Sequence, residues 1–210
     1  MKKILVSALL ALGAASTMAE DVFYNPHFGD GNQNFAGMLG NDFVVNSNVT
    51  VSAIGAFTGG TAGFAGTITV GLYDITNLNA ITTVISPYTF SGAGGGTPYT
   101  WQSASAALQA GHTYSIQASG YSSDQIGNTS IGGSIGFDTL GGALTQGSAR
   151  WAASSDLGVA GNNNGLHPFA AGNVQLAQPV PEPETYAMLL AGLGLIGGIA
   201  RHRKQKAATA

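Results

Sequence analysis

The stretch Thr67-Ile68-Thr69-Val70-Gly71-Leu72-Tyr73 sends Ile68, Val70 and Leu72 to one side and Thr67 and Thr69 to the other. That two-residue period belongs to a strand with one buried face. Similar patterns recur over 48–56, 80–85, 99–104, 112–119, 130–137, 147–153 and 169–176, and within 112–119 Tyr114, Ile116 and Ala118 share a face. Turn-forming clusters separate the runs: Gly59-Gly60, Gly94-Gly95-Gly96, Gly141-Gly142 and Gly161-Asn162-Asn163-Asn164-Gly165. No long helical stripe interrupts them away from the ends. Short strands with regular turn signals predict an all-β fold, an antiparallel β-sandwich of jelly-roll type.

The two ends follow a different pattern. Residues 1–19 run from Lys2-Lys3 through apolar residues Ile4 to Ala15 and finish on small residues at Thr17 and Ala19. This is the form of a secretory signal peptide, with cleavage expected between Ala19 and Glu20. At the other end come Val180-Pro181-Glu182-Pro183, an apolar run from Tyr186 through Leu190 and Leu195 to Ala200, and the basic group Arg201-His202-Arg203-Lys204. Pro181 and Pro183 delay helix formation, and Tyr186 suits a membrane interface. As a helix the apolar run rises about 22 Å, short of a hydrocarbon core of about 30 Å, so its insertion is marginal. The basic group (Arg201, Arg203, Lys204) acts as a stop on the cytoplasmic side. The expected layout is a signal-peptide helix over 1–19, an exported β-sandwich over 20–178, a sorting tail with a transmembrane helix over 179–204, and a cytoplasmic end over 205–210.

With its proline box, apolar run and basic cluster in that order, the tail resembles the PEP-CTERM sorting signal of Gram-negative bacteria. The resemblance implies export through the Sec translocon, transient retention in the inner membrane, and cleavage near Pro181-Glu182-Pro183 by an exosortase. It also implies release to the cell surface or an extracellular matrix, typically in species that make exopolysaccharide. A permanent C-terminal anchor with a proline-containing linker is the alternative, and both place the domain outside the cytoplasm. A patchier resemblance covers part of the centre. Phe43 to Phe57, Val70-Gly71-Leu72-Tyr73-Asp74 and Leu108-Gln109-Ala110-Gly111-His112-Thr113-Tyr114 look like a β-sandwich module of the DUF4082 type, which bears on fold and supplies no chemistry.

Composition narrows the function. Charged residues are 8% of the chain, against about 25% in ordinary soluble domains, so Gly, Ser, Thr, Asn and Gln must cover the surface. Between Lys3 and Arg201 the one basic residue is Arg150, against eight acids from Glu20 to Asp156, giving the centre a formal charge of about −7. Such a surface repels phosphate backbones, which argues against nucleic acid as a partner. The absence of cysteine removes disulfides, thiolate metal sites and a Cys nucleophile.

Several matches to catalytic or binding motifs are compositional. Gly132-Gly133-Ser134-Ile135-Gly136 fits G-x-S-x-G, with Asp138 or Asp156 and then His167 following in hydrolase order. A nucleophile elbow needs a helix after its turn, however, and none is signalled here. Asp30, Asn32 and Asn34 alternate like the start of a calcium loop, but Phe35 stands where the loop needs Gly and Asn41 where it needs Glu. Gly192, Gly194 and Gly197 satisfy G-x-G-x-x-G inside the membrane tail, where no strand precedes them. His27, His112 and His167 lack ligand spacing. Trp101 and Trp151, with Tyr99 and Tyr121, fit either a core packed between sheets or an aromatic platform for sugar rings. The reading is an exported, non-enzymatic surface or matrix protein without catalytic residues, metal or cofactor. Its alternative is a carbohydrate-binding module for exopolysaccharide, with a secreted serine hydrolase as a weaker third.

Overall fold

Alternating residues become paired strands, and the pairing runs beyond several of the predicted ends. The computed structural model describes residues 21–22, 24–25, 35–58, 63–93, 97–121, 136–177 and 192–193. In chain order the strands are β1 (Asp21–Val22), β2 (Tyr24–Asn25), β3 (Met38–Val45), β4 (Val49–Phe57), β5 (Gly63–Asp74) and β6 (Thr82–Ala93). They continue with β7 (Tyr99–Leu108), β8 (Thr113–Ser119), β9 (Gly136–Phe137), β10 (Leu144–Ala152), β11 (Asn162–Asn163) and β12 (Gly172–Ala177). A 3-10 turn at Leu140–Gly142 leads into β10.

One sheet has the order β1-β12-β4-β7 and the other β11-β10-β3-β8-β5-β6, while β2 pairs separately with β9. All of these pairings are antiparallel. They are nested: β5 pairs with β6, β4 with β7 and β3 with β8, and the middle pair lies in the other sheet. This wrapping makes the sandwich jelly-roll-like. Ile54, Ala56 and Val174 face Val70, Leu72, Ile116 and Ala118 across the core, all fully buried or nearly so. Gly172 marks a close approach of the sheets, because a Cβ there would lie 3.0 Å from Ile116 and 3.1 Å from Val70.

The strand expected over 80–85 runs through Pro87 to Ala93, and β6 tolerates the proline because it is an edge strand with a partner on one side. The strand β3 was absent from the alternating set. Met38 to Phe43 are all buried, and the adjacent polar residues Asn41 and Asp42 fall on opposite faces, so no two-residue period marks it. Of the strand expected over 130–137, the described part is Gly136–Phe137. The signal segment with its Ala19–Glu20 cleavage point, the Val180–Pro183 box and the basic cluster lie outside the described residues. So does the apolar run, apart from Gly192 and Leu193, which are helical. Among the described residues no helix is long and apolar enough to cross a membrane.

Candidate functional site

The outer face of the six-stranded sheet is covered over β3 and β8 rather than exposed. Gly40 stands between Arg150 and Gln117 in the strand register, and Asp42 stands beside Ser115. The segment from Ala153 to Gly161 crosses over this face. Gln117 donates to the Val159 carbonyl at 2.9 Å and accepts from the Gly158 amide at 2.8 Å. Arg150 Nε donates to Asp42 Oδ2 at 2.5 Å, and its Nη1 donates to the Ala160 carbonyl at 3.0 Å. Burial pushes the Asp42 carboxyl above its ordinary value, and the hydrogen bond from Ser115 and the Arg150 guanidinium offset this only in part. The lone basic residue of the central domain is therefore occupied inside a polar network, not offered to an anionic ligand.

Two further joints use residues from the motif-like segments. His112 Nδ1 donates to Asp74 Oδ2 at 2.6 Å, and Asp74 Oδ1 accepts the Thr76 amide at 2.9 Å. Partial burial pushes the Asp74 carboxyl up, but hydrogen bonds from Thr76 and His112 outweigh it and leave the group below its ordinary value. Tyr114 stacks on His112, and its hydroxyl accepts the Gln109 amide at 2.9 Å. The Val70–Asp74 and Leu108–Tyr114 segments thus meet, and they meet as a structural clasp. Tyr121 is the second joint. Fully buried, it donates to the Ala171 carbonyl at 2.9 Å and accepts the Phe57 amide at 3.0 Å, tying the end of β8 in the six-stranded sheet to β4 and the start of β12 in the other. Burial first, and then the neighbouring Tyr99, hold its hydroxyl well above the ordinary tyrosine value.

The aromatic candidates separate. Tyr99 and Tyr121 are buried, so they cannot belong to an open platform. Trp101 is half-buried and lies flat over Gly55, where a Cβ would come within 2.5 Å of its ring, with Tyr99 at 5.2 Å between ring centroids. It shares the face of Phe57, opposite Ile54 and Ala56, and so is not packed between the sheets. Trp151 is 38% exposed on β10, next to the edge strand β11. Phe35 meets it edge-on at 6.2 Å between centroids, and Asn162, its cross-strand partner, is exposed.

Of the hydrolase candidates, Ser134 lies outside the described residues, as do the Asp30–Asn34 loop and His27. Asp138 Oδ1 caps the Leu140 amide at 2.7 Å, Asp156 Oδ2 accepts from Ser154 at 2.5 Å, and His167 is exposed. Both acids are held in turns of their own segments. A cavity of about 480 Å³ between Asn48–Thr50 and Ala107–Ala110 has no titratable side chain in its lining. Among the described residues no group of three or more His, Asp or Glu side chains comes together. The sequence reading passed over the Asp42–Arg150 pair and the Tyr121 joint. One signal was available for the pair: a lone arginine amid eight acids has many candidate partners, and Asp42 is the one it meets.

The compact unit Met1–Gln178 ends where a second unit, Pro179–Ala210, begins. Residues 179–204 match the model of the PEP-CTERM protein-sorting motif. The tail is a PEP-CTERM motif. A PEP-CTERM tail marks an exported protein, made as a membrane-anchored precursor and processed by an exosortase on its way to the cell surface. No curated protein and no solved structure matches the chain. The PEP-CTERM assignment accordingly speaks for the tail, and the β-sandwich must be read from its own residues.

Proposed function

We propose that this protein is a non-enzymatic component of the cell surface or extracellular matrix, its β-sandwich being cargo delivered by a disposable tail. Residues 1–19 serve as the signal peptide for the Sec translocon, with cleavage between Ala19 and Glu20. The apolar run Tyr186–Ala200 holds the precursor in the inner membrane, and Arg201, Arg203 and Lys204 stop transfer. An exosortase then cuts near Pro181-Glu182-Pro183 and frees the domain. The observation that carries this reading is the motif over 179–204, beginning at the residue after the sandwich unit ends. Mass spectrometry of the protein's C-terminus tests it: the terminus should fall near Glu182 in cells with the exosortase and beyond Lys204 in cells without it. An intact tail in both would support a permanent anchor instead.

A second reading rests on Trp151. An exposed indole flanked by Phe35 and the amide of Asn162 suits the C–H face of a sugar ring, and the occupied Arg150 favours a neutral exopolysaccharide over an anionic one. Trp151→Ala should abolish co-sedimentation with insoluble neutral glucan while leaving the melting temperature nearly unchanged. Undiminished co-sedimentation would remove this reading.

A further inference from the structure

The two lateral sides of the sandwich are built differently. On one side the sheets end in β1 and β11, strands of two residues each. On the other they end in β7 and β6, of 10 and 12 residues. Unpaired N–H and C=O groups along a long edge invite another strand, so edges are ordinarily blunted by charge, proline, bulges or shortness. The edges β1 and β11 are short. The edge β6 carries Pro87, and its register against β5 shifts at three places. The edge β7 has neither proline nor charge, and its register against β4 shifts once. Among the described residues β7 pairs with β4 alone.

Charge points to what this edge receives. From Ile75 to Ser123 the chain holds no Asp, Glu, Lys or Arg, although the central domain carries a formal charge of about −7. Two copies repel each other over the rest of their surface and meet at β7 without that penalty. The run Ser103-Ala104-Ser105-Ala106-Ala107 is small enough for backbones to approach closely, and Ser103, Ser105 and Ala107 are exposed. An antiparallel strand pair is also self-complementary under a two-fold axis, which closes the assembly at a dimer.

We propose that the β7 edge pairs antiparallel with the β7 edge of a second copy of this chain, joining two four-stranded sheets into one continuous sheet. The pairing is centred on Gln102–Ala106 and is independent of what the domain binds and of how its tail is processed.

The lack of cysteine makes the test clean, because a single introduced thiol can form only an intermolecular disulfide. Single-cysteine variants at Gln102, Ser103, Ala104, Ser105 and Ala106 of the full chain, in mild detergent, would be oxidised and compared with Asn162→Cys on the β11 edge. Covalent dimer should peak at one β7 position, about tenfold above Asn162→Cys, and sedimentation should give a concentration-dependent dimer. The double variant S103K/S105K should move the dimerisation midpoint upward by about tenfold, because facing like charges oppose strand pairing. Its circular dichroism should match the parent, which separates lost pairing from lost folding. Monomeric mass up to millimolar protein, or cross-linking no greater along β7 than at Asn162, would overturn the proposal.

Discussion

At the residue scale several polar side chains of the described residues hold the sandwich together, and Asp42 is the most consequential of them. Removing one partner of a buried ion pair leaves a desolvated charge, which costs about 3–5 kcal/mol. Asp42→Asn should therefore destabilise strongly, since the Arg150 guanidinium cannot shed its proton. Arg150→Met should cost less, and less still in acid. The Asp42 carboxyl is already raised, so the stability linked to its protonated form is present below its unfolded value and lost as pH rises through the folded one. Urea denaturation of Arg150→Met at pH 7 and pH 4 should show the smaller loss at pH 4. Asp74 carries the opposite sign. Its folded value is depressed, so its contribution is present above the ordinary value of 3.8 and fades as pH falls below it. The melting curves of the parent and Asp74→Asn should differ at pH 6 and converge toward pH 3.

At the element scale, the strands whose apolar and polar residues alternate were legible, and β3, whose residues do not alternate, was not. β5 and β8 show their apolar faces in Val70, Leu72, Ile116 and Ala118, because polar residues such as Thr69, Ser115 and Gln117 fall between them in the sequence, even though the second face of β8 is buried as well. β3 hides, because Asn41 and Asp42 sit at buried positions for reasons of hydrogen bonding. Asn41 clamps Phe169, donating to its carbonyl at 2.7 Å and accepting its amide at 2.8 Å. That need arises 128 positions away in the chain and has no local signature. Close packing supplies a third prediction. Gly172→Val would force methyl groups onto Ile116 and Val70 where the sheets come close, and overpacking of this kind costs about 1–3 kcal/mol. Chemical denaturation should show that loss with little change in the slope against denaturant.

At the scale of the whole molecule, the chain is a cargo unit and an address. The first ends at Gln178, and the motif begins at 179. A chain stopped after Gln178 should keep its unfolding temperature within about 2 °C of the full-length protein, as seen by calorimetry, because every described residue of the sandwich core lies before that point. The same chain should be lost from the membrane fraction of cells that express it.

Taken by itself, the sequence determined what is local and periodic. The order of proline box, apolar run and basic cluster is a linear signal, readable without folding, and strand alternation records which face each segment buries. The tertiary structure decided everything that depends on distant residues meeting. It covered the outer face of the six-stranded sheet over β3 and β8 with the segment after β10, paired Arg150 with Asp42, and buried Tyr121 as a joint between sheets. It also left Trp151 open while closing over Tyr99, and set the long edge β7 opposite the short edge β1. Those outcomes follow from sheet order and register, which chain-local patterns do not encode because each is settled by loop closure and packing across the whole sandwich.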